Sequence, residues 1–240
     1  MSESRLSADR SLALIIPIFN ESSCISDFYE MLSKLCWAEK LSEIIFVDDG
    51  SGDDSWNEIL KLATINPRVK AIQHLQNQGL GGAIRSGCIA SNSARVCWVP
   101  VDQQFDVGHI LRSANDAEIV LFTRATQGQL RRDVITRIWQ FIFRHAFGTS
   151  FRFQSGIFIM PRHVFLSYPL ITSRGISLAE LLVRIERGKN KFVSIPIDCR
   201  PRSRGDSKSF SIRSILRSVR ELLGLFLIEP SLFLSRKSDS

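Results

Sequence analysis

The sequence predicts an α/β protein built on a mostly parallel sheet with helices on its faces. Three observations carry this. Short Ile/Val/Phe-rich runs recur at Leu12 to Ile18, Glu43 to Val47, Val69 to Leu75 and Arg95 to Val101; helix-spaced apolar residues lie between them; and the runs stop in Pro, Asn, Asp or Gly. Strands buried on both faces read as such continuous runs, and their alternation with helices builds parallel βαβ units. Of 240 residues 44% are hydrophobic, which suffices for a packed core and argues against disorder.

Taken in order, Leu12 to Ile18 is the first strand, and Pro17 with Phe19-Asn20-Glu21 turns the chain out of the sheet. Ser22 or Ser23 is the expected cap of a helix with the apolar face Ile25, Phe28, Met31, Leu32 and Leu35. After the strand Glu43 to Val47 comes Asp48-Asp49-Gly50-Ser51, then a helix marked by Trp56, Ile59, Leu60 and Ala63. The third strand, Val69 to Leu75, leads into Asn77-Gln78-Gly79-Leu80-Gly81-Gly82, which opens another helix. Two roles fit those glycines, a phosphate cradle or close packing on a neighbour, and their spacing matches neither a P-loop nor GxGxxG. The fourth strand ends in Asp102-Gln103-Gln104-Phe105-Asp106. Beyond it the pattern loosens: strands at Ala117 to Phe122, Ser155 to Met160 and Phe192 to Ile197, a helix from Arg131 to Phe147, and another carrying Leu178, Leu181, Leu182 and Ile185.

The formal net charge of +7 points to an anionic partner. Nucleic acid is not expected, because no basic helix with interleaved aromatics and no nucleic-acid-binding motif is present. Five cysteines, Cys24, Cys36, Cys88, Cys97 and Cys199, form no CxxC pair and fit a reducing cytoplasm. The longest apolar stretches fall short of the roughly 20 residues of a membrane span, and Leu12 to Ile18 is a poor signal-peptide core. A cytoplasmic chain is expected, peripheral on the cytoplasmic face of a membrane if its tail engages lipid.

Ligands of open α/β sheets bind at the carboxyl ends of strands. Two such ends here carry acids, Asp48 with Asp49 and Asp102 with Gln104. The first pair suits a nucleoside, or it belongs to a helix start capped by Ser51 or Asp53. The second pair offers oxygen ligands to Mg²⁺ or Mn²⁺, or is a polar surface loop.

IIPIFNES, IIFVDDGSGDDS, NQGLGGAIRSG, VDQQFD, QSGIF and RSRGDSK, in this order, resemble the successive motifs of the family 2 glycosyltransferases with the GT-A fold, nearest to their dolichyl-phosphate mannose synthase and polyprenyl-phosphate branch. The resemblance runs from Leu12 to Lys208. It implies a GT-A domain over 11–208, with a nucleotide-binding half (11–106) and an acceptor half (107–208), followed by an amphipathic tail (209–240). It implies inverting transfer of a hexosyl group from a nucleotide-sugar donor. Pro17, Asn20, Glu21, Asp48 and Asp49 would hold the nucleotide; Asp102 and Gln104 a divalent cation; Arg131, Arg132, Arg202 and Lys208, with Asp102, the reacting phosphates. Three departures stand out: Pro100 replaces the first aspartate of DxD, Leu80 a frequent lysine, and Arg152 an aspartate before QSG. They keep open a second reading, a catalytically degenerate nucleotide-binding relative serving as a regulatory or partner subunit.

A hydroxyl acceptor would need a general base, for which Glu180 and Glu186 are candidates if they do not simply line a solvated helix face. A phosphate monoester acceptor, with a second pKa of roughly 6, is already an anion and needs cations instead. Arg200, Arg202, Arg204 and Lys208 supply them, which favours a polyprenyl (dolichyl-type) phosphate. In the tail, Ile212, Ile215, Leu216, Val219, Leu222, Leu223, Phe226 and Leu227 keep helical spacing, with Arg213, Arg217 and Arg220 off the stripe. That pattern fits a helix lying on a membrane, packed on the domain, or docked to a membrane partner subunit.

Overall fold

The computed structural model describes residues 11–35, 41–114, 119–124, 130–148, 156–188, 190–200 and 212–233. One seven-stranded sheet runs in the order β3-β2-β1-β4-β6-β5-β7. Its strands are β1 (Leu12–Ile18), β2 (Leu41–Asp48), β3 (Val69–Gln73), β4 (Arg95–Trp98), β5 (Ile119–Arg124), β6 (Phe158–Pro161) and β7 (Phe192–Ile197). The helices are α1 (Ser22–Ser33), α2 (Ser55–Ile65), α3 (Leu80–Ala90), α4 (Val107–Arg112), α5 (Leu130–Phe147), α6 (Arg162–Ser167), α7 (Ser177–Arg187) and α8 (Ile212–Ile228). The predicted class holds, with one strand reversed: β6 is antiparallel to both β4 and β5.

The order of strands makes the site. From β1 the chain steps outward to β2 and β3, then returns across β1 to β4. Right-handed crossovers put α1 and α2 on one face and α3 on the other, and α1 packs on α2 while α3 packs on β1 and β2. The direction reverses at β1, and such a switch point leaves a crevice at the carboxyl edge. β1 lies inside the sheet, between β2 and β4, and its large aliphatic residues are buried, each contributing about 1.5–3 kcal/mol by transfer from water.

The glycines of the third helix serve packing. A Cβ on Gly87 would lie 2.6 Å from Ile15 Cγ2, and one on Gly81 would lie 2.3 Å from Ser177 Oγ. The N–H groups of Gly81 and Gly82 already donate to Ser173 O at 2.8 and 3.3 Å, so they do not form a phosphate cradle. The fourth strand stops at Trp98, short of the predicted Val101, because Pro100 has no N–H to continue the ladder. Nor do Ser22 and Ser23 cap α1. Ser22 is its first residue, and its N–H donates to Asp53 Oδ2 at 3.1 Å from the neighbouring turn.

The tail is packed on the domain. Leu225 and Leu232 join Phe147, Ile176, Ala179 and Val183 in a small second core, and Phe147 meets Phe233 with ring centroids 4.4 Å apart. Glu180 is neither a solvated residue nor an available base. It is 1% exposed, accepts from Ile171 N, Thr172 N and Thr172 Oγ1 at 2.9, 2.8 and 2.5 Å, and pairs with Arg184 at 2.8 Å. Arg184 reaches on to Glu229 at 2.5 Å, which ties the chain beyond α8 to α7.

At the amino-terminal edge, Glu43 organises a separate network. Its carboxylate accepts from Ser91 Oγ (2.6 Å), Asn92 N (2.9 Å), Ser93 N (3.1 Å) and Ser93 Oγ (2.8 Å), and pairs with Lys70. Burial alone would raise its pKa, but Lys70, the two serines and Asn92 hold it down to about 2. A depressed carboxyl pKa contributes stability that is full above the unfolded value near 4.5 and is lost as the pH falls toward 2. Glu43→Ala is expected to cost about 2–3 kcal/mol in urea unfolding at pH 7. The difference from wild type should shrink between about pH 4.5 and 2.

Candidate active site

The carboxyl ends of β1, β2 and β3 are sewn together by side chains. Asn20, in the left-handed region at φ 55°, accepts from Gly52 N through Oδ1 at 2.8 Å, and its own N–H donates to Ser51 Oγ at 2.9 Å. An Asn tolerates that backbone geometry better than most residues. Glu21 N donates to Ser55 Oγ at 3.2 Å, and Asp53 accepts from Ser55 N at 3.1 Å. The Asp48–Ser51 turn is thereby fixed against the Phe19–Glu21 turn.

Asp48 and Asp49 sit where the sequence places them, at the strand end, but both are turned inward, 0% and 3% exposed. Asp48 Oδ1 accepts from Ser51 N at 3.1 Å, and Gln73 Nε2 donates to Oδ2 at 3.4 Å. The Asp49 oxygens accept from Gln78 N and Gly79 N, each at 2.8 Å. His74 Nδ1 lies 2.8 Å from Asp49 Oδ1, and its Nε2 lies 2.8 Å from Ser86 Oγ. An ionised carboxylate can only accept, so with Asp49 charged Nδ1 carries a proton, and in the neutral ring Nε2 accepts from Ser86. The two carboxylates thus shape the loops; the sequence pattern singled out neither His74 nor Ser86.

β4 delivers the second acid. Asp102 is 5% exposed, and its Oδ1 accepts from Gln104 N at 3.3 Å across the left-handed Gln103 (φ 54°). The loop is braced by the segment after β7: Arg200 N donates to Gln104 O at 2.7 Å, and Phe105 bridges Cys199. Arg200 is thereby held beside the acidic loop. Burial pushes the Cys24 thiol up against a lowering Ser23 contact, and the Glu21 and Asp102 carboxylates add to the rise, so both act at the start of α1. With β1 between them, the ends of β2 and β4 are about 10 Å apart, two strand spacings.

Pro17, Asn20, Glu21, Asp48, Asp49, Asp102 and Gln104 therefore share one edge of the sheet. Arg131 and Arg132 fall in the first turn of α5, the helix that follows β5. Arg202, Lys208 and the departure Arg152 lie outside the described residues. Four cysteines, Cys24, Cys88, Cys97 and Cys199, are free and buried.

A family model described as "Glycosyl transferase family 2" matches residues 13–163, more than half of the chain and the whole of this edge up to β6. The chain belongs to glycosyltransferase family 2. Among relatives of this family 2 chain is a bactoprenol glucosyl transferase of Shigella phage SfX, 28% identical over 184 residues, covering 71% of this chain and 59% of that one. A dolichyl-phosphate beta-glucosyltransferase of Trichomonas vaginalis is 26% identical over 96 residues, 37% of this chain and 28% of its own. The family 2 chain spans about three-fifths of the length of the first of these relatives. In fold it resembles glucosyl-3-phosphoglycerate synthase of Mycobacterium tuberculosis, solved with Mn²⁺, UDP-glucose and phosphoglyceric acid: TM-score 0.65, 17% identity, 95% of this chain and 83% of that one.

Proposed function

We propose that this chain transfers a sugar, with inversion, from a nucleotide-sugar donor to a polyprenyl (dolichyl-type) phosphate. The observation that carries the reading is the placement of two acid-bearing turns, after β2 and after β4, on either side of β1 where the strand order reverses. The first turn, with Pro17 and Glu21, frames a nucleoside. The second, Asp102 with Gln104, faces the diphosphate.

A divalent cation fits this edge as a shared ligand. Among the described residues no cluster of three acids, histidines or cysteines exists to hold an ion alone. One carboxylate and one amide oxygen still suit Mg²⁺ or Mn²⁺, which complete their shells with water and substrate phosphates. The Mn²⁺ and UDP-glucose of the M. tuberculosis fold neighbour support the same choice. When bound, the ion neutralises charge that develops on the leaving diphosphate. Asp102 and Gln104 would position it, and Arg131, Arg132, Arg202 and Lys208 would share the phosphate charge.

The acceptor reading rests on chemistry. In the transfer, a phosphate oxygen of the acceptor bonds to the anomeric carbon as the bond from that carbon to the diphosphate breaks, and attack from the opposite side inverts the centre. A phosphate dianion needs no base. Glu180, one of the two candidate bases, is committed to Thr172 and Arg184, and the relatives' names carry bactoprenol and dolichyl phosphate. The outer surface of the tail supports a location at the cytoplasmic face of a membrane. Leu216, Val219, Leu223, Phe226 and Leu227 of α8 are exposed beside Arg217 and Arg220, while Leu225 faces inward. Ile138 and Phe141 of α5 are exposed near Arg137 and Arg144. No helix among the described residues is long and apolar enough to cross a membrane, so this basic, apolar surface would lie on anionic lipid.

The test is a screen of labelled nucleotide sugars with Mn²⁺, offering polyprenyl phosphate in anionic vesicles against soluble sugars. Labelled lipid that appears only with the metal and the phosphate acceptor is the expected result. Nucleotide binding that ignores EDTA, with no product from any donor, would overturn the reading in favour of a non-catalytic subunit.

A further inference from the structure

The acid turn that frames the nucleoside in this reading is not held by its own half of the molecule alone. Gly50, at φ 72°, sits so close to the next turn that a Cβ there would lie 2.8 Å from Asn77 N. Asn77 is gripped from behind by Arg174, whose Nη1 donates to Asn77 Oδ1 at 2.9 Å and whose Nη2 donates to Asn77 O at 2.7 Å. The next two residues in the chain, Gln78 and Gly79, give their N–H groups to Asp49. Arg174 itself is fixed by the C-terminal helix. Glu221 of α8 accepts from Arg174 N through Oε1 at 3.1 Å and from Ile176 N through Oε2 at 3.2 Å. Contact is tight on both flanks of this segment: a Cβ on Gly79 would meet Arg174 Cγ at 2.5 Å, and one on Gly175 would meet Ser218 Oγ at 2.2 Å.

We propose that Arg174, anchored by Glu221, is a positioning residue for the donor nucleotide, so that α8 sets the shape of the donor turn through this relay of contacts. The inference rests on the reading of the Asp48–Ser51 turn as the nucleoside's frame. Arg174 and Glu221 touch no reacting atom in it. Their effect passes through Asn77 to the N–H groups that orient Asp49 and to the backbone against which Gly50 closes. A guanidinium fork on a carbonyl and an amide oxygen fixes orientation as a lysine cannot, since an ammonium has no planar pair of donors. Any ligand or surface that displaces α8 would reach the donor turn by the same route.

The experiment is calorimetry of uridine and guanosine diphosphates, in the presence of Mn²⁺, on the full chain and on Arg174→Ala, Arg174→Lys, Glu221→Ala and Glu221→Gln. It is paired with hydrogen exchange at the Gln78 and Gly79 amides and with thermal melts. Arg174→Ala is expected to weaken nucleotide binding about tenfold or more, the scale of a lost charged hydrogen-bond pair. Glu221→Ala should weaken it several-fold although it lies on α8, and Glu221→Gln, which keeps one acceptor oxygen but turns a donor toward the other amide, should recover only part of the loss. Exchange at Gln78 and Gly79 should quicken in both alanine variants, and the donor KM should rise more than kcat falls. Wild-type nucleotide affinity and unchanged exchange in folded Arg174→Ala and Glu221→Ala would overturn the inference. If the wild-type chain binds neither diphosphate, the donor-site reading fails, and the inference with it.

Discussion

Asp102→Ala is expected to lower sugar transfer by at least about 100-fold at saturating donor, the scale seen when a preorganised electrostatic group is removed from a transition state. Asp102 is the one carboxylate that β4 brings to the edge in the DQQ stretch, because Pro100 stands in place of a second, so no neighbour on that strand end substitutes for it. Two signatures separate this loss from misfolding. The Mn²⁺ concentration for half-maximal rate should rise, and Asp102→Asn, which keeps the side chain's size and an oxygen acceptor for Gln104 N, should fold like wild type yet lose transfer. Metal-dependent turnover that survives the substitution would remove Asp102 from the site.

The second large effect is on stability. Glu180→Ala is expected to cost about 3–5 kcal/mol, because it leaves the buried Arg184 guanidinium without its fully buried carboxylate partner and orphans the Ile171 and Thr172 N–H groups. Urea unfolding should show the loss as a lower midpoint at unchanged slope. Replacing Glu180 and Arg184 together by Leu and Met should recover part of it, since the unpaired charge is removed while the Ile171 and Thr172 amides stay without their acceptor. A single-variant cost below about 1 kcal/mol would mean that Glu229 alone satisfies Arg184.

What the sequence made legible follows from what each signal reports. Leu12 to Ile18 becomes a strand at the expected residues because burial on both faces leaves an uninterrupted aliphatic pattern, whereas Phe192 to Ile197, a largely exposed edge strand, is marked by its aromatic and β-branched residues. The reversed β6 between β4 and β5 was not readable, since a four-residue apolar run carries no direction and its partners, Val96 and Val120, lie far away in sequence. The acids at the ends of β2 and β4 were legible as positions. Their orientation was not: the pattern marks Asp49 as a candidate to hold a nucleoside, and only the fold shows His74, Gln78 and Gly79 around it. Glu180 shows the same limit. Helical spacing places it on α7, but the partners that make it structural come from a loop nine residues upstream and, through Arg184, from Glu229. The tail's apolar stripe was wide enough to serve both an inner and an outer face, and spacing alone could not divide Leu225 from Leu223.

The central claim is that the turns after β2 and β4 bound one crevice for an activated sugar's diphosphate. Its most direct test is a crystal structure of the chain grown with Mn²⁺ and a nucleoside diphosphate that it binds in solution. The prediction is density for the base and ribose against Pro17, Glu21 and the Asp48–Ser51 turn, with the phosphates reaching Asp102 and Gln104. A nucleotide bound elsewhere, or one whose phosphates point away from Asp102, would contradict it.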